Sequence, residues 1–266
     1  DLLYAGIDRT KSLVLYVHGF REHPSNENAI TAVISAHLER GTDNVMLLDW
    51  SDLAFENYVT VVGRVRYIAM ILATTFDDLV RLGLDLETFH IVGHSLGAQI
   101  GGLVGKYSRN SIPRITGLDP AKPGFYHPGA EHIDAGSARF VDVVHTDGGV
   151  YGALSATGTV DFFANGGSRP QPGCPLIGFH FAIITDLCNH WRSWRYYAES
   201  IANEFAFPAL QCPSYRDFVD GKCARNRRAY FGYASDTNIH GTFFFTTNER
   251  APFSNGSNFH PANLLE

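Results

Sequence analysis

Apolar residues recur in two different patterns between Leu13 and Phe205. Short apolar runs bounded by turn residues are typical of buried strands, whereas apolar positions at steps of three and four are typical of helices. The predicted strands are Leu13–Val17, Val45–Leu48, Phe89–Val92, Arg114–Leu118, Phe140–Val144 and, less clearly marked, Thr159–Phe163. The predicted helices are Asn28–Arg40, Tyr58–Leu82, Ala98–Gly105 and His190–Phe205. This alternation predicts an α/β fold with a mostly parallel central sheet and helices on both faces.

The pattern changes after about residue 206, where turns containing proline, glycine and asparagine take over and Phe243–Phe245 is a strand candidate. No internal repeat or linker interrupts the 266 residues, a length that one large α/β domain commonly reaches. We therefore expect residues 1–266 to form a single domain.

Composition and charge exclude several classes of protein. With 45% hydrophobic and 18% charged residues, the chain suits a globular core rather than a disordered segment. A formal net charge of -6 does not favour binding to nucleic acid or strong attachment to an anionic membrane. No uninterrupted apolar run approaches the roughly 18 residues of a transmembrane helix, so no transmembrane segment is expected.

The most informative stretch is Gly93-His94-Ser95-Leu96-Gly97, which fits the motif G-x-S-x-G. It lies between a predicted strand and a predicted helix, and the glycines allow the tight turn that such a junction needs. In that context the serine is lifted clear of the sheet toward a base, which it needs because a serine hydroxyl is a weak nucleophile at neutral pH. The alternative is a glycine-rich turn with an ordinary serine.

The partners of Ser95 are expected at the carboxyl ends of the strands, where open α/β sheets place their active sites. Asp119 directly follows a predicted strand, although Asp119-Pro120 could also simply start a turn. His190 lies farther along, and the order Ser95, Asp119, His190 is that of α/β-hydrolases. Order alone is weak among twelve histidines, and the competitors as base are His94, His145, His180 and His240.

Two backbone amides are needed to hold a developing oxyanion. The Leu96 amide follows the nucleophile, and the Phe20 amide lies in the His18-Gly19-Phe20 turn after the first predicted strand. We assign the oxyanion hole to Phe20 and Leu96.

The four cysteines lie as two close pairs, Cys174 with Cys188 and Cys212 with Cys223, without the C-x-x-C spacing of metal ligands. Three connectivities are open, and nearest-neighbour disulfides are favoured over four reduced thiols. Such disulfides require an oxidising compartment, so secretion is expected, and the sequon Asn255-Gly256-Ser257 agrees with it.

Seven blocks, in order, make the chain resemble the pancreatic-lipase family from about Leu13 to Asn203. The blocks are His18–Phe20, Val92–Ala98, Thr116–Ala121, Val141–Thr146, Asn165–Gly167, Gln171–Cys174 and Cys188–Ser193. The resemblance implies the α/β-hydrolase fold and a lipid substrate. It also implies Ser95 as nucleophile, Asp119 as orienting acid and His190, rather than another histidine, as base.

The resemblance further implies that a disulfide between Cys174 and Cys188 closes a lid over residues 174–188. The enclosed segment is apolar, with Phe179, Phe181, Ile183 and Ile184 as its large side chains and only Asp186 charged. A flap of this kind suits a surface that covers an apolar site in water and meets a lipid interface when open. The alternative is a loop packed permanently on the core.

The chain also departs from the family's triglyceride lipases. Its lid and its loop between Gly149 and Thr159 are short, which is similar to the phospholipase A1 and insect-type branch. The C-terminal lipid-binding domain of pancreatic lipase is not expected, and neither is colipase as a partner. Asp134 matches one acidic position of the family's calcium loop, but Ser137 replaces a second carboxylate, so neither a metal nor another cofactor is expected.

The sequence therefore predicts a secreted serine hydrolase that cleaves carboxylic esters of glycerolipids through an acyl-enzyme, with phospholipase A1 activity favoured. A neutral triacylglycerol lipase or galactolipase and a small-ester carboxylesterase are the enzymatic alternatives. A non-catalytic lipid-binding or yolk-type protein is the alternative from another class, since fold does not determine function.

Overall fold

The computed structural model describes residues 6–24, 29–175 and 187–256, which contain nine strands of one sheet. The strands are β1 Ser12–Val17, β2 Asp43–Leu48, β3 Phe89–His94, β4 Arg114–Leu118, β5 Phe140–His145, β6 Val160–Ala164, β7 Phe207–Gln211, β8 Arg228–Phe231 and β9 Gly241–Phe245. The helices are α1 Ala29–Arg40, α2 Ser51–Ala54, α3 Tyr58–Arg81, α4 Leu96–Tyr107, α5 Cys188–Ala202 and α6 Tyr215–Val219.

The sheet runs in the order β2-β1-β3-β4-β5-β6-β9-β7-β8. All pairs from β2 across to β9 are parallel, whereas β7 is antiparallel to both β9 and β8. The mostly parallel sheet is confirmed, and its carboxyl edge carries the turns that follow β1, β3, β4, β5 and β6.

Helices cover both faces of this sheet, as predicted. α1 packs against α5 on one face, and α3 packs against α4 on the other. Successive side chains of β1 therefore enter two separate cores: Leu13 and Leu15 join the α3–α4 side, and Val14 and Tyr16 join the α1–α5 side. Because the central strands β1, β3, β4 and β5 are buried on both faces, they consist of largely apolar runs, whereas β8 alternates exposed and buried residues.

By length and composition alone, helix α3 is long and apolar enough to cross a membrane. The sequence pattern did not predict this, because polar residues interrupt its apolar positions. A core helix of a globular protein passes the same test. One side of α3 does lie in the core, through Val61, Val65, Ile68, Ala69, Ala73 and Phe76. Its opposite side is exposed, with Val59 81% and Tyr67 65% accessible.

The region after residue 206 holds two strands that the sequence pattern did not predict, β7 and β8. Both are short, and β7 contains a proline, Pro208, which lies opposite Tyr230 of β8. The preceding helix α5 also ends earlier than predicted, at Ala202, so that Phe205 lies outside it and is 65% exposed. Disulfides join Cys174 to Cys188 and Cys212 to Cys223, the nearest-neighbour pairing that the sequence favoured.

Candidate active site

Ser95 occupies a sharp turn between β3 and α4. Its backbone has φ 56° and ψ -118°, a left-handed conformation that is costly for a residue with a side chain. The turn is held by the Ser95 amide, which donates to the Leu118 carbonyl at 3.1 Å, and by the Ser95 carbonyl, which accepts from the Ala121 amide at 3.2 Å. Both bonds attach the turn to the end of β4, where Asp119 begins the next loop.

Two glycines make this turn sterically feasible. A Cβ atom on Gly97 would overlap the Val17 carbonyl oxygen, and a Cβ atom on Gly93 would overlap the Gly97 backbone. The first turn of α4 can therefore approach the end of β1 only because position 97 has no side chain, and it can fold back over β3 only because position 93 has none.

Asp119 and His190 are in direct contact at the same edge of the sheet. The Nδ1 atom of His190 lies 2.6 Å from Oδ2 of Asp119, and the two residues are 4% and 0% exposed. The second carboxylate oxygen accepts from the amides of Thr146 at 2.9 Å and Asp147 at 3.1 Å. Because Nδ1 donates to a fixed carboxylate, Nε2 of His190 is left as the basic nitrogen.

The His190 ring also lies beside the turn that Ser95 occupies. Its centroid is 4.7 Å from that of His94, the residue that precedes Ser95. The Ser95 turn, the predicted base His190 and the predicted acid Asp119 thus come from three elements: the β3–α4 junction, the start of α5 and the end of β4.

The His18-Gly19-Phe20 turn lies against Ser95, the predicted nucleophile, since the Cβ position of Gly19 is 3.1 Å from Cβ of Ser95. The Nδ1 atom of His18 donates to the Gly19 carbonyl at 2.9 Å, because its Nε2 accepts from the Trp50 amide at 3.2 Å. The carbonyl and N–H of a trans peptide point in opposite directions, so the Phe20 amide is directed away from His18. Burial lowers the pKa of His18, which keeps this tautomer neutral.

Leu96 supplies the second amide of the predicted oxyanion hole. It is the first residue of α4, so its N–H has no carbonyl partner within the helix and lies at the positive end of the helix dipole. The Phe20 ring packs edge-on against Tyr58 at a centroid distance of 5.2 Å, which ties the other side of the hole to the start of α3.

A second carboxylate lies next to Asp119. Asp147 is fully buried and accepts from Nε and Nη2 of Arg169 at 2.6 and 2.7 Å. Burial and the charge of Asp119 raise the pKa of Asp147, and the Arg169 guanidinium opposes that rise. Ligand atoms of Asp119, Asp147 and His190 lie within 4.8 Å of one another, a spacing that would suit a metal ion. Their oxygen atoms are already engaged by His190, two amides and Arg169, so the donor set suits an acid–base pair rather than a cation site.

Asp134 and Ser137 lie where the sequence resemblance places the calcium loop of the family. The Asp134 carboxylate caps the 3₁₀ turn Ala135–Ser137 and pairs with Nζ of Lys106 at 2.5 Å. The Ser137 hydroxyl accepts from the Asp134 amide at 3.2 Å. A lysine and a capping box thus occupy the groups that would have to bind calcium, and these residues do not fit such a site.

The competing histidines are engaged elsewhere or lie apart. His145 is buried between Asp161, 2.8 Å from its Nε2, and the Ala153 carbonyl, 2.9 Å from its Nδ1. His94 pairs with Glu22 at 2.8 Å, and His240 is exposed. His180 lies outside the described residues, as do the predicted lid residues Phe179, Phe181, Ile183 and Ile184. The disulfide between Cys174 and Cys188, which would close the predicted lid, is described, and Cys188 begins the helix that carries His190.

Sequence reasoning missed several residues that build the site. The side chains of Glu22 and Arg169, and the ring contacts of His18, have no signal in periodicity or motif spacing. Each is a polar residue inside a motif block or within two residues of one, which is the only hint that the sequence offers.

Comparison with known proteins decides the family. The profile of the family described as Lipase matches residues 4–253. The chain belongs to the lipase family. Its sheet and flanking helices form the α/β-hydrolase fold of that family, as predicted. Phospholipase A1 member A from Bos taurus is 34% identical over 227 residues, covering 84% of this chain and 49% of the relative. Lipase member H from Mus musculus is 37% identical over 216 residues, covering 80% and 48%.

This lipase-family chain thus spans about half the length of the curated relatives that it matches. Among solved structures, one from Xanthomonas campestris pv. campestris assigned to the alpha/beta hydrolase superfamily is 19% identical, with a TM-score of 0.41, covering 54% of this chain and 76% of the other. That likeness is too low to carry any argument about function.

Proposed function

We propose that this protein is a secreted carboxylic ester hydrolase that cleaves glycerolipids through an acyl-enzyme on Ser95. The observation that carries the proposal is the juxtaposition of a serine in a left-handed turn with a buried, directly bonded His190–Asp119 pair at the same edge of the sheet. Membership of the lipase family supports it.

In the first half of the proposed reaction, Nε2 of His190 takes the proton of the Ser95 hydroxyl, and Oγ attacks the ester carbonyl carbon. The carbonyl oxygen becomes an oxyanion, held by the Phe20 and Leu96 amides. Asp119 stabilises the imidazolium through Nδ1 and does not itself take the proton. When the tetrahedral intermediate collapses, the alcohol leaves with the proton from Nε2, and the fatty acyl group remains on Ser95.

In the second half, water gives a proton to Nε2 and attacks the acyl-enzyme. A second oxyanion forms at the same two amides, and its collapse releases the fatty acid and returns the proton to Ser95. Asp119 keeps the histidine in one orientation through both halves, since its second oxygen is fixed by the Thr146 and Asp147 amides.

Phospholipids are the favoured substrate class, cleaved as by a phospholipase A1. Two observations support this: relatives named phospholipase A1 member A are among the matches, and the segment between Cys174 and Cys188 is short. A shorter cover leaves a wider mouth, which suits a polar head group. Two disulfides support an extracellular location.

The proposal is tested by offering purified, oxidised protein phosphatidylcholine, galactolipid and triacylglycerol with different acyl chains at each position. We expect fastest release of the sn-1 fatty acid from phospholipid. Ser95→Ala should abolish release while circular dichroism and thermal unfolding stay unchanged. Release at the wild-type rate by Ser95→Ala would overturn the mechanism; faster release from triacylglycerol would leave the chemistry standing and replace the substrate class.

A further inference from the structure

Glu22 is a buried carboxylate that lies beside the proposed catalytic machinery without belonging to it. It is 8% exposed, and each of its oxygens has a different partner. Oε2 accepts from the Gly19 amide at 3.0 Å, and Oε1 lies 2.8 Å from Nδ1 of His94. Burial raises the pKa of Glu22, but the neighbouring His94 and the two hydrogen bonds lower it by more than burial raises it. The pKa is therefore lowered overall, and the carboxylate stays ionised.

The two partners of Glu22 belong to two different parts of the site. Gly19 is in the turn that carries the Phe20 amide, and His94 immediately precedes Ser95. The Gly19 amide belongs to the peptide unit just before the one that contains the Phe20 N–H. That next unit is held through its carbonyl by His18. Two consecutive peptide units of the turn are therefore each held by a buried side chain.

The backbone around Glu22 is shaped to make this contact. Arg21 has a left-handed conformation, with φ 57°, and its amide donates to the Ala54 carbonyl at 3.3 Å. This turn folds the chain back on itself so that the Glu22 side chain reaches the Gly19 amide. A left-handed non-glycine residue is costly and persists only where the surroundings hold it, which is typical of functional loops.

We propose that Glu22 is a positioning residue that couples the His18-Gly19-Phe20 turn to the Ser95 turn, so that the Phe20 amide and Ser95 keep a fixed separation. The proposal rests on the proposed ester hydrolysis. An oxyanion donor acts only in the transition state and must already point at the position that the oxyanion will occupy. A carboxylate that bonds both turns at once provides this orientation, whereas a residue with one hydrogen bond can hold only one of them.

Two variants and a matched control separate this role from a purely structural one. Glu22→Ala removes both contacts; Glu22→Gln keeps an oxygen for the Gly19 amide but cannot also accept from His94. Asp43→Asn is the control, because Asp43 is buried to a similar degree and pairs with His37 at 2.9 Å, at the opposite edge of the sheet.

With p-nitrophenyl butyrate, a soluble ester that avoids interfacial effects, we expect kcat to fall about 100-fold in Glu22→Ala and about 10-fold in Glu22→Gln. KM should stay within about twofold, because ground-state binding does not use the oxyanion donors. Asp43→Asn should keep both constants per folded molecule.

A thiono analogue of the same ester gives a readout that instability cannot mimic. Sulfur is a weak hydrogen-bond acceptor, so the wild-type enzyme should strongly prefer the oxygen ester. That preference should shrink in both Glu22 variants and stay unchanged in Asp43→Asn. An unchanged preference together with unchanged kcat in Glu22→Ala would overturn the proposal.

Hydrogen exchange at the Gly19 amide tests the coupling without any substrate. Exchange should accelerate in Glu22→Ala relative to the wild type and to Asp43→Asn, and equal rates in all three would contradict it. If the wild-type protein cleaved no ester, the proposed function would fail while the exchange result still decided whether Glu22 holds the turn.

Discussion

The two edges of the sheet each bury a histidine–carboxylate pair, yet only one edge resembles an active site. At the carboxyl edge, His190 lies 2.6 Å from Asp119; at the amino edge, His37 lies 2.9 Å from Asp43. In both pairs the ring and the carboxylate are buried almost completely. A paired histidine therefore does not identify a site by itself.

The edges differ in their backbone. In the part of the chain that the structure describes, the non-glycine residues with positive φ are Arg21, Ser95, Asp119 and Asn165. Each of them follows a strand at the carboxyl edge, namely β1, β3, β4 and β6. Such conformations cost roughly 1–3 kcal/mol each, and they persist where the surrounding structure holds them.

At the amino edge the polar groups form an ordinary structural network. Arg114 donates to both oxygens of Asp142 and to the carbonyls of Gly232 and Tyr233. Tyr233 in turn donates to Asp43 at 3.0 Å. Strained backbone beside a paired histidine, rather than the pair alone, therefore distinguishes the candidate site.

The largest expected difference comes from converting each acid to its amide. Asp119→Asn should lower kcat about 10,000-fold, because an amide holds His190 in the wrong tautomer. Asp43→Asn should lower stability by about 1–3 kcal/mol and leave kcat per folded molecule within about twofold. Steady-state kinetics and urea unfolding measure both. A comparable loss of kcat in Asp43→Asn would remove the distinction between the edges.

Two glycine-to-alanine substitutions should have opposite effects on stability. Gly97→Ala introduces a Cβ atom that overlaps the Val17 carbonyl, so we expect loss of soluble protein or destabilisation by about 3 kcal/mol or more. Gly63→Ala places a Cβ atom in open space on the exposed side of α3 and should stabilise by about 0.5–1 kcal/mol. Thermal unfolding separates the two variants, and an unchanged stability of Gly97→Ala would show that the Ser95 turn has room for a side chain at position 97.

The smallest expected effect is on the pH dependence of stability. Burial lowers the pKa of His145, but Asp161 and the Ala153 carbonyl, which face its two nitrogens, raise it overall. The stability that His145 contributes is therefore complete below the ordinary histidine pKa and is lost as pH rises through the raised value. Each unit of difference corresponds to about 1.4 kcal/mol.

His90, near the amino edge, should behave in the opposite way. Burial and the charge of Arg114 lower its pKa well below the ordinary value, so acidification below about pH 6.5 destabilises the fold. Urea unfolding between pH 5 and pH 9 tests both signs. His145→Gln should abolish the alkaline loss and His90→Gln the acid loss; unchanged pH profiles would contradict these assignments.

Local patterns predicted much of this molecule, because strand and helix periodicity and the glycine-flanked Ser95 are properties of contiguous residues. The place of Asp119 directly after a strand predicts it as a partner of Ser95. His190 required the family resemblance, since twelve histidines compete and the contact with Asp119 spans 71 residues.

What escaped prediction depends on contacts between distant parts of the chain. Glu22 meets His94 across 72 residues, and Arg169 meets Asp147 across a loop whose course the sequence does not fix. Strands β7 and β8 are short, and β7 contains a proline, so that only their pairing with β9 and with each other makes them strands.

Covalent labelling with a fluorophosphonate shows directly whether Ser95 is an activated nucleophile. We expect one adduct per molecule, located on Ser95 by peptide mass spectrometry, formed much more slowly in Asp119→Asn and at the wild-type rate in Asp43→Asn. An absence of any adduct on Ser95 in the folded wild-type protein, or equal labelling rates in Asp119→Asn and Asp43→Asn, would contradict it.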